Sequence, residues 1–150
     1  MSAVVTAPPS GQAARTAAIV DVRTENRLTA AFVVVGLVAL FGGAVTGLLQ
    51  ALEHAGVQFP GHTVFVKSYY HSVAMHGVLN VLVWTTFFIS GFVPFMVTRA
   101  LGRPLASRPL GWATFALMVA GLVVAAIPLV ANAATVMFTF YPPLMANWAF

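Results

Sequence analysis

The stretch TAAFVVVGLVALFGGAVTGLLQAL, Thr29 to Leu52, carries no charged side chain along its whole length. About 20 apolar residues, rising ~1.5 Å each as a helix, cross the hydrocarbon layer of a bilayer. This run alone is therefore long enough to span one. Two more follow: SVAMHGVLNVLVWTTFFISGFVPFMV (Ser72–Val97) and GWATFALMVAGLVVAAIPLVANA (Gly111–Ala133). The reading is an all-α membrane protein with three transmembrane helices, at about 29–52, 72–97 and 111–133. Internal glycines and prolines do not count against these helices, because neighbouring segments re-satisfy freed carbonyls. Pro128 is expected to loosen the last turns of the third span. Gly42, Gly43 and Gly47 permit close helix approach and read as ordinary packing.

Composition supports this class. Of 150 residues, 60% are hydrophobic and 7% charged, whereas about a quarter of a soluble domain is charged. There is no cysteine, which excludes disulfides, thiolate metal sites and cysteine nucleophiles. The sequence pI is near 10.4, but it rests on only seven Lys and Arg. Six of these flank the spans, so topology explains the basicity and no nucleic-acid partner is called for.

Residues 1–28 read as a disordered cytoplasmic leader and 29–150 as the membrane domain. The opening MSAVVTAPPSGQAARTAA is small, polar and proline-containing, a composition that does not bury enough apolar surface to fold. The first apolar run comes too late and runs too long for a signal peptide, so it is expected to be a retained helix. After the third span, ATVMFTFYPPLMANWAF is uncharged. Trp148 to Phe150 read as the opening of a fourth apolar helix.

Loop charge sets the expected orientation. Arg15, Arg23 and Arg27 precede the first span, and Arg99, Arg103 and Arg108 lie between the second and third. The other side holds only Lys67. Basic residues concentrate on the cytoplasmic side, which places the N-terminus and the RALGRPLASRPLG loop there. His76 then falls nearer the outer face.

Four histidines carry what chemistry the sequence offers. His54 and His62 lie in the outer loop and read as solvated. His71, beside Tyr69 and Tyr70, reads as part of an amphipathic belt at the membrane boundary. His76 is different, because an ionisable group within a transmembrane helix is expensive and is by default a functional candidate. It is either a neutral ring bonded to a neighbouring helix, a proton relay, or an axial ligand to a metal, a role that suits neutral imidazole. His71 and His76 are five residues apart and point ~140° away from each other on a helix. They do not share a metal, so a metal at His76 takes its other ligand from another helix, as a haem iron would. Gly77 and Ala74 leave room for a flat macrocycle. Ser72, Leu79, Asn80 and Val83 share the face of His76, with Asn80 placed to fix a group at its edge. The spans contain no acidic residue to pair with His76, which disfavours a transporter.

Two stretches together carry a resemblance: SYYHSVAMHGVLNVLVW and, a helix and loop later, GLVVAAIPLVANAATVMFTFYPPLMANWAF. They resemble subunit I of the haem–copper oxygen reductases, in particular the B-type (ba-type) cytochrome c oxidases, from about Thr29 to Phe150. MHGVLN is similar to the second helix of that family and TFYPPL to the outer loop between its third and fourth helices. The resemblance implies that His76 is one axial ligand of the low-spin haem b. Gly77, Asn80, Ser72, Phe138 and Tyr141 would then be its surroundings, Phe138 standing where family members often carry tryptophan or tyrosine. It implies a second axial histidine from a later helix. The high-spin haem, the copper and their ligands would belong only to the complete subunit, so no catalytic residue is expected here. Implied partners are the remaining helices of subunit I, oxidase subunit II, cytochrome c as electron donor, and the lipid bilayer. The implied setting is multi-pass in the cell inner (plasma) membrane. The implied reaction of the whole assembly is reduction of dioxygen to water coupled to proton translocation. Alternatives are a free-standing three-span scaffold or assembly protein without haem, and a nitric oxide reductase-like segment.

Overall fold

The computed structural model describes residues 10–57, 66–134 and 147–148, with side chains from residue 24 onward. Helix α1 runs Ser10–His54, α2 Tyr69–Gly77, α3 Thr85–Leu101 and α4 Arg108–Val130. A π-helical segment, Val78–Trp84, joins α2 to α3, so the three form one continuous span, Tyr69–Leu101. Among the described residues, three helices, Thr24–His54, Tyr69–Leu101 and Arg108–Val130, are long and apolar enough to cross a membrane. The protein is an all-helical membrane protein, as the sequence implies.

The boundaries differ from those expected. The first two spans reach beyond their apolar runs at both ends, and the third starts earlier, at Arg108, but stops at Val130, short of Ala133; helix formation needs backbone bonding rather than hydrophobicity. The first helix continues back through residues 10–28, where a leader was expected. Alanine, arginine and glutamate in that stretch are strong helix formers. Short-range polar chemistry then sets the ends. Ser68 caps α2 by accepting from His71 N, and Ser107 caps α4 by accepting from Leu110 N, with Pro109 in the first turn. Gly102, at φ +59°, closes α3 with Arg103 N donating to Thr98 O at 3.2 Å, a left-handed stop that suits glycine.

The spans pack antiparallel in sequence order. Phe32 of α1 sits at the centre of one half, 6.0 Å from the Phe87 ring and 5.0 Å from Phe115. It therefore touches all three spans. Leu28, Ala39, Ala74, Val78, Val83 and Leu129 complete the core. Most large apolar side chains, among them Val38, Phe41, Leu101, Leu117 and Ile127, face outward. In water that would be a liability; in lipid it is the expected outer surface.

Polar ties sit at the two ends. At one, buried Glu25 accepts from Arg108 Nε at 3.1 Å and Arg99 reaches Asn26 Oδ1 at 3.3 Å. Thr29 Oγ1 also donates to Gly91 O at 3.2 Å. At the opposite end Lys67 Nζ donates to Ala131 O at 3.4 Å. Between the ends, α4 stands away from the π segment and leaves an apolar cavity of about 380 Å³, lined in part by Leu79, Leu82, Met118 and Leu122.

His71 departs from its expected place at the boundary: it is completely buried. Tyr70, next along the helix, is exposed instead, because successive helical positions lie ~100° apart. His71 Nδ1 accepts from Lys67 N at 3.1 Å, and Nε2 lies 2.6 Å from Leu129 O. A nitrogen that accepts from a backbone N–H holds no proton, so the ring is neutral and Nε2–H donates to Leu129 O. The ring thus ties α2 to the end of α4. His71→Leu removes the Leu129 tie and the acceptor for Lys67 N, and is expected to cost about 1–3 kcal/mol. Thermal unfolding in detergent checks this as a lowered Tm.

Candidate functional site

The site is built where α1 and the second span cross. In α1, Gly43 and Gly47 are four residues apart and so lie on one face. In the second span, His76 and Asn80 have the same spacing. The two pairs meet. A Cβ on Gly47 would fall inside the His76 imidazole, and one on Gly43 would fall inside the Asn80 carboxamide. Trp84 packs closely on Gly36, where an added Cβ would stand 3.0 Å from the indole. These glycines are therefore more than general spacers: two of them form the recess that accepts the histidine and its neighbour. The sequence offered a cue, the i, i+4 glycine spacing, but not which helix would fill it.

The ring geometry fixes its tautomer. His76 Nδ1 is 2.7 Å from Gly43 O. A carbonyl oxygen only accepts, so Nδ1 carries the proton and donates it. Thr46, itself buried, donates its hydroxyl to the same oxygen at 3.0 Å. Nε2 is then the bare lone pair, and no described residue bonds it. His71 is the contrast, since both its nitrogens are engaged by backbone groups. Of these two rings only His76 presents a free ligating nitrogen, and metal-bound histidines characteristically anchor the other ring nitrogen to a carbonyl or carboxylate.

The π segment begins two residues after His76. Its i→i+5 pattern is rare and is associated with functional sites. Threonine hydroxyls fill in around it: Thr85 Oγ1 donates to Asn80 O at 3.3 Å and Thr86 Oγ1 donates to Leu82 O.

The other expected surroundings are placed as follows. Gly77 is buried next to His76. Ser72 is buried, and its hydroxyl donates to Tyr69 O at 2.8 Å, so it is engaged within its own helix. Asn80 lies directly beside the ring, its carboxamide nitrogen 3.1 Å from Nδ1. Phe138 and Tyr141, with the TFYPPL loop, lie outside the described residues. Thr46, Gly43 and Gly47 were not singled out as site residues from sequence, because their role depends on which helix they face.

Comparison with known proteins decides the family. Residues 27–150 match the family described as Cytochrome C and Quinol oxidase polypeptide I. The chain belongs to that family. One relative of this oxidase polypeptide family is cytochrome c oxidase subunit 1 of Thermus thermophilus, 42% identical over 131 residues. The alignment covers 84% of this chain and 23% of that relative, so the chain spans about a quarter of the relative's length. Residues 27–150, which match the family, contain the whole His76 recess. Membership weighs against a free-standing scaffold and gives the free imidazole nitrogen a chemical context, since the oxidase polypeptides I are haem–copper proteins.

Proposed function

We propose that this chain is part of subunit I of a B-type cytochrome c oxidase and that His76 Nε2 is one axial ligand of a low-spin haem b. The observation that carries the reading is the split use of the imidazole: Nδ1–H donates to Gly43 O, while Nε2 is left to ligate. The residues present fit one of the two axial positions. The second ligand and the dioxygen-reducing centre, with its high-spin haem and copper, would be supplied by the remaining helices of subunit I. When bound, such a haem would supply one-electron transfer.

The chain's own residues do the rest. Gly43 O holds the Nδ1 proton, which fixes the tautomer and makes Nε2 the better donor. Gly47 lets the ring approach α1 closely enough for that bond. Apolar side chains on the outer surface, facing lipid, keep water from the half-buried ring. The basic end, with Arg27, Arg99, Arg103 and Arg108, faces the cytoplasm in this reading, and the Lys67 end faces outward, so His76 lies towards the side from which cytochrome c and subunit II deliver electrons. The whole assembly, in the cell inner membrane, reduces dioxygen to water coupled to proton translocation.

The test uses the complete oxidase complex purified from its source membrane. A reduced-minus-oxidised spectrum is expected to display a low-spin haem b, and the complex to consume dioxygen with reduced cytochrome c as donor. A complex that turns over cytochrome c without any low-spin haem b would overturn the proposal.

A further inference from the structure

Two groups converge on His76 Nδ1: Gly43 O at 2.7 Å and the Asn80 carboxamide at 3.1 Å. With the proton on Nδ1, a carboxamide N–H₂ has nothing there to donate to. Asn80 Oδ1, meanwhile, is buried without a partner. Turning the carboxamide over about its last bond removes the clash of donors at Nδ1 and gives the oxygen a partner, because its two ends are nearly the same size; the N–H₂ then takes the place against Gly43 that Oδ1 had held. The oxygen then stands where the Nδ1 proton points, and that proton is shared between two acceptors, Gly43 O and Asn80 Oδ1.

The surroundings hold this arrangement. Asn80 is four residues from His76 and faces the same helix. The Gly43 backbone closes over its carboxamide, since any Cβ there would overlap it. The Thr85 hydroxyl ties the Asn80 backbone carbonyl at 3.3 Å. Thr46 also donates to the Gly43 carbonyl at 3.0 Å, which weakens that carbonyl as sole acceptor and raises the value of a second.

We infer that Asn80 is a positioning residue whose carboxamide oxygen accepts from His76 Nδ1–H, and so sets the electron richness of Nε2 and the reduction potential of the group that Nε2 binds. This rests on the ligand reading above and adds a tuning role to it. Sharing the proton with a second acceptor shifts electron density onto the ring. A more electron-rich ring stabilises the oxidised metal and lowers the potential; removing the acceptor raises it.

The test is a redox titration of the low-spin haem b in the complete oxidase, followed by its absorption. Asn80→Leu keeps the volume and removes the acceptor. It is expected to retain the low-spin spectrum and raise the midpoint potential by about 59 mV, a tenfold change in a one-electron equilibrium. Asn80→Asp keeps an oxygen that can accept, and is expected to sit at or below the wild-type potential. A merely structural role for Asn80 would change haem content in both variants and leave the potential of the loaded fraction alone. An unchanged potential in Asn80→Leu, or a rise in Asn80→Asp as large as in Asn80→Leu, overturns the inference. Should Asn80→Leu fail to load haem, Asn80→Asp carries the test alone, and a raised potential there overturns it. His76→Ala in parallel separates the two levels. A low-spin spectrum that survives His76→Ala sinks the ligand reading itself. An unmoved potential with a His76-dependent spectrum sinks only the role of Asn80.

Discussion

His76→Leu in the complete oxidase is expected to abolish the low-spin haem b spectrum and to lower electron transfer to dioxygen by more than about a hundredfold. Loss of a group one shell removed from a metal commonly costs 10–100-fold, and loss of the ligand itself costs more. The fold should survive the change. Leucine is at home in a membrane helix, and Gly43 O keeps the Thr46 hydroxyl as a partner when the imidazole is gone. Core contacts around Phe32, Phe87 and Phe115 do not involve position 76. Absorption spectra and a dioxygen electrode on the purified variant read both effects, and an unchanged subunit yield shows that assembly is intact.

Gly47→Val gives the second large effect, and it is expected to reach the same haem without replacing the proposed ligand. A single Cβ at this position already overlaps the imidazole, and valine adds two methyl groups that a helix holds in one rotamer. Either the ring leaves its recess or α1 moves away from α2. Both outcomes break the Nδ1 bond to Gly43 O. Overpacking of this kind costs about 1–3 kcal/mol in stability, and haem b content is expected to fall at least about tenfold with the lost bond from Nδ1 to Gly43 O. Gly121→Ala is the matched control, because a Cβ there meets nothing within 4 Å. Haem content per subunit, from a pyridine haemochrome assay, checks the pair.

The spans were legible because bilayer thickness turns hydrophobicity into length, and no charge interrupts Thr29–Leu52. Their ends were not, since helix propensity rather than hydropathy decides them: the alanines and arginines before Thr29 extend α1 to Ser10. That His76 needs a polar partner was legible as well, because an imidazole at that depth requires one, and Gly43 O supplies it. What sequence could not supply was the register of one helix on another. The spacing of Gly43 and Gly47 is plain in the sequence, yet only the crossing of α1 with the second span shows that they receive Asn80 and His76. The same limit misplaced His71. Its tyrosine neighbours mark the membrane boundary, but a helix turns adjacent residues to different sides, so Tyr70 faces outward while His71 bonds Leu129 O in the interior. The π segment had no signal at all; VLNVLVW reads as any apolar helix would.

The most direct measurement is an electron cryo-microscopy map of the complete oxidase at a resolution that separates the two ring nitrogens of His76 by their neighbours. Continuous density from Nε2 to an iron at the centre of a porphyrin, with Nδ1 against Gly43 O, is the expected result. A ring whose Nε2 meets lipid or another side chain, with no porphyrin beside the second span, would contradict the account.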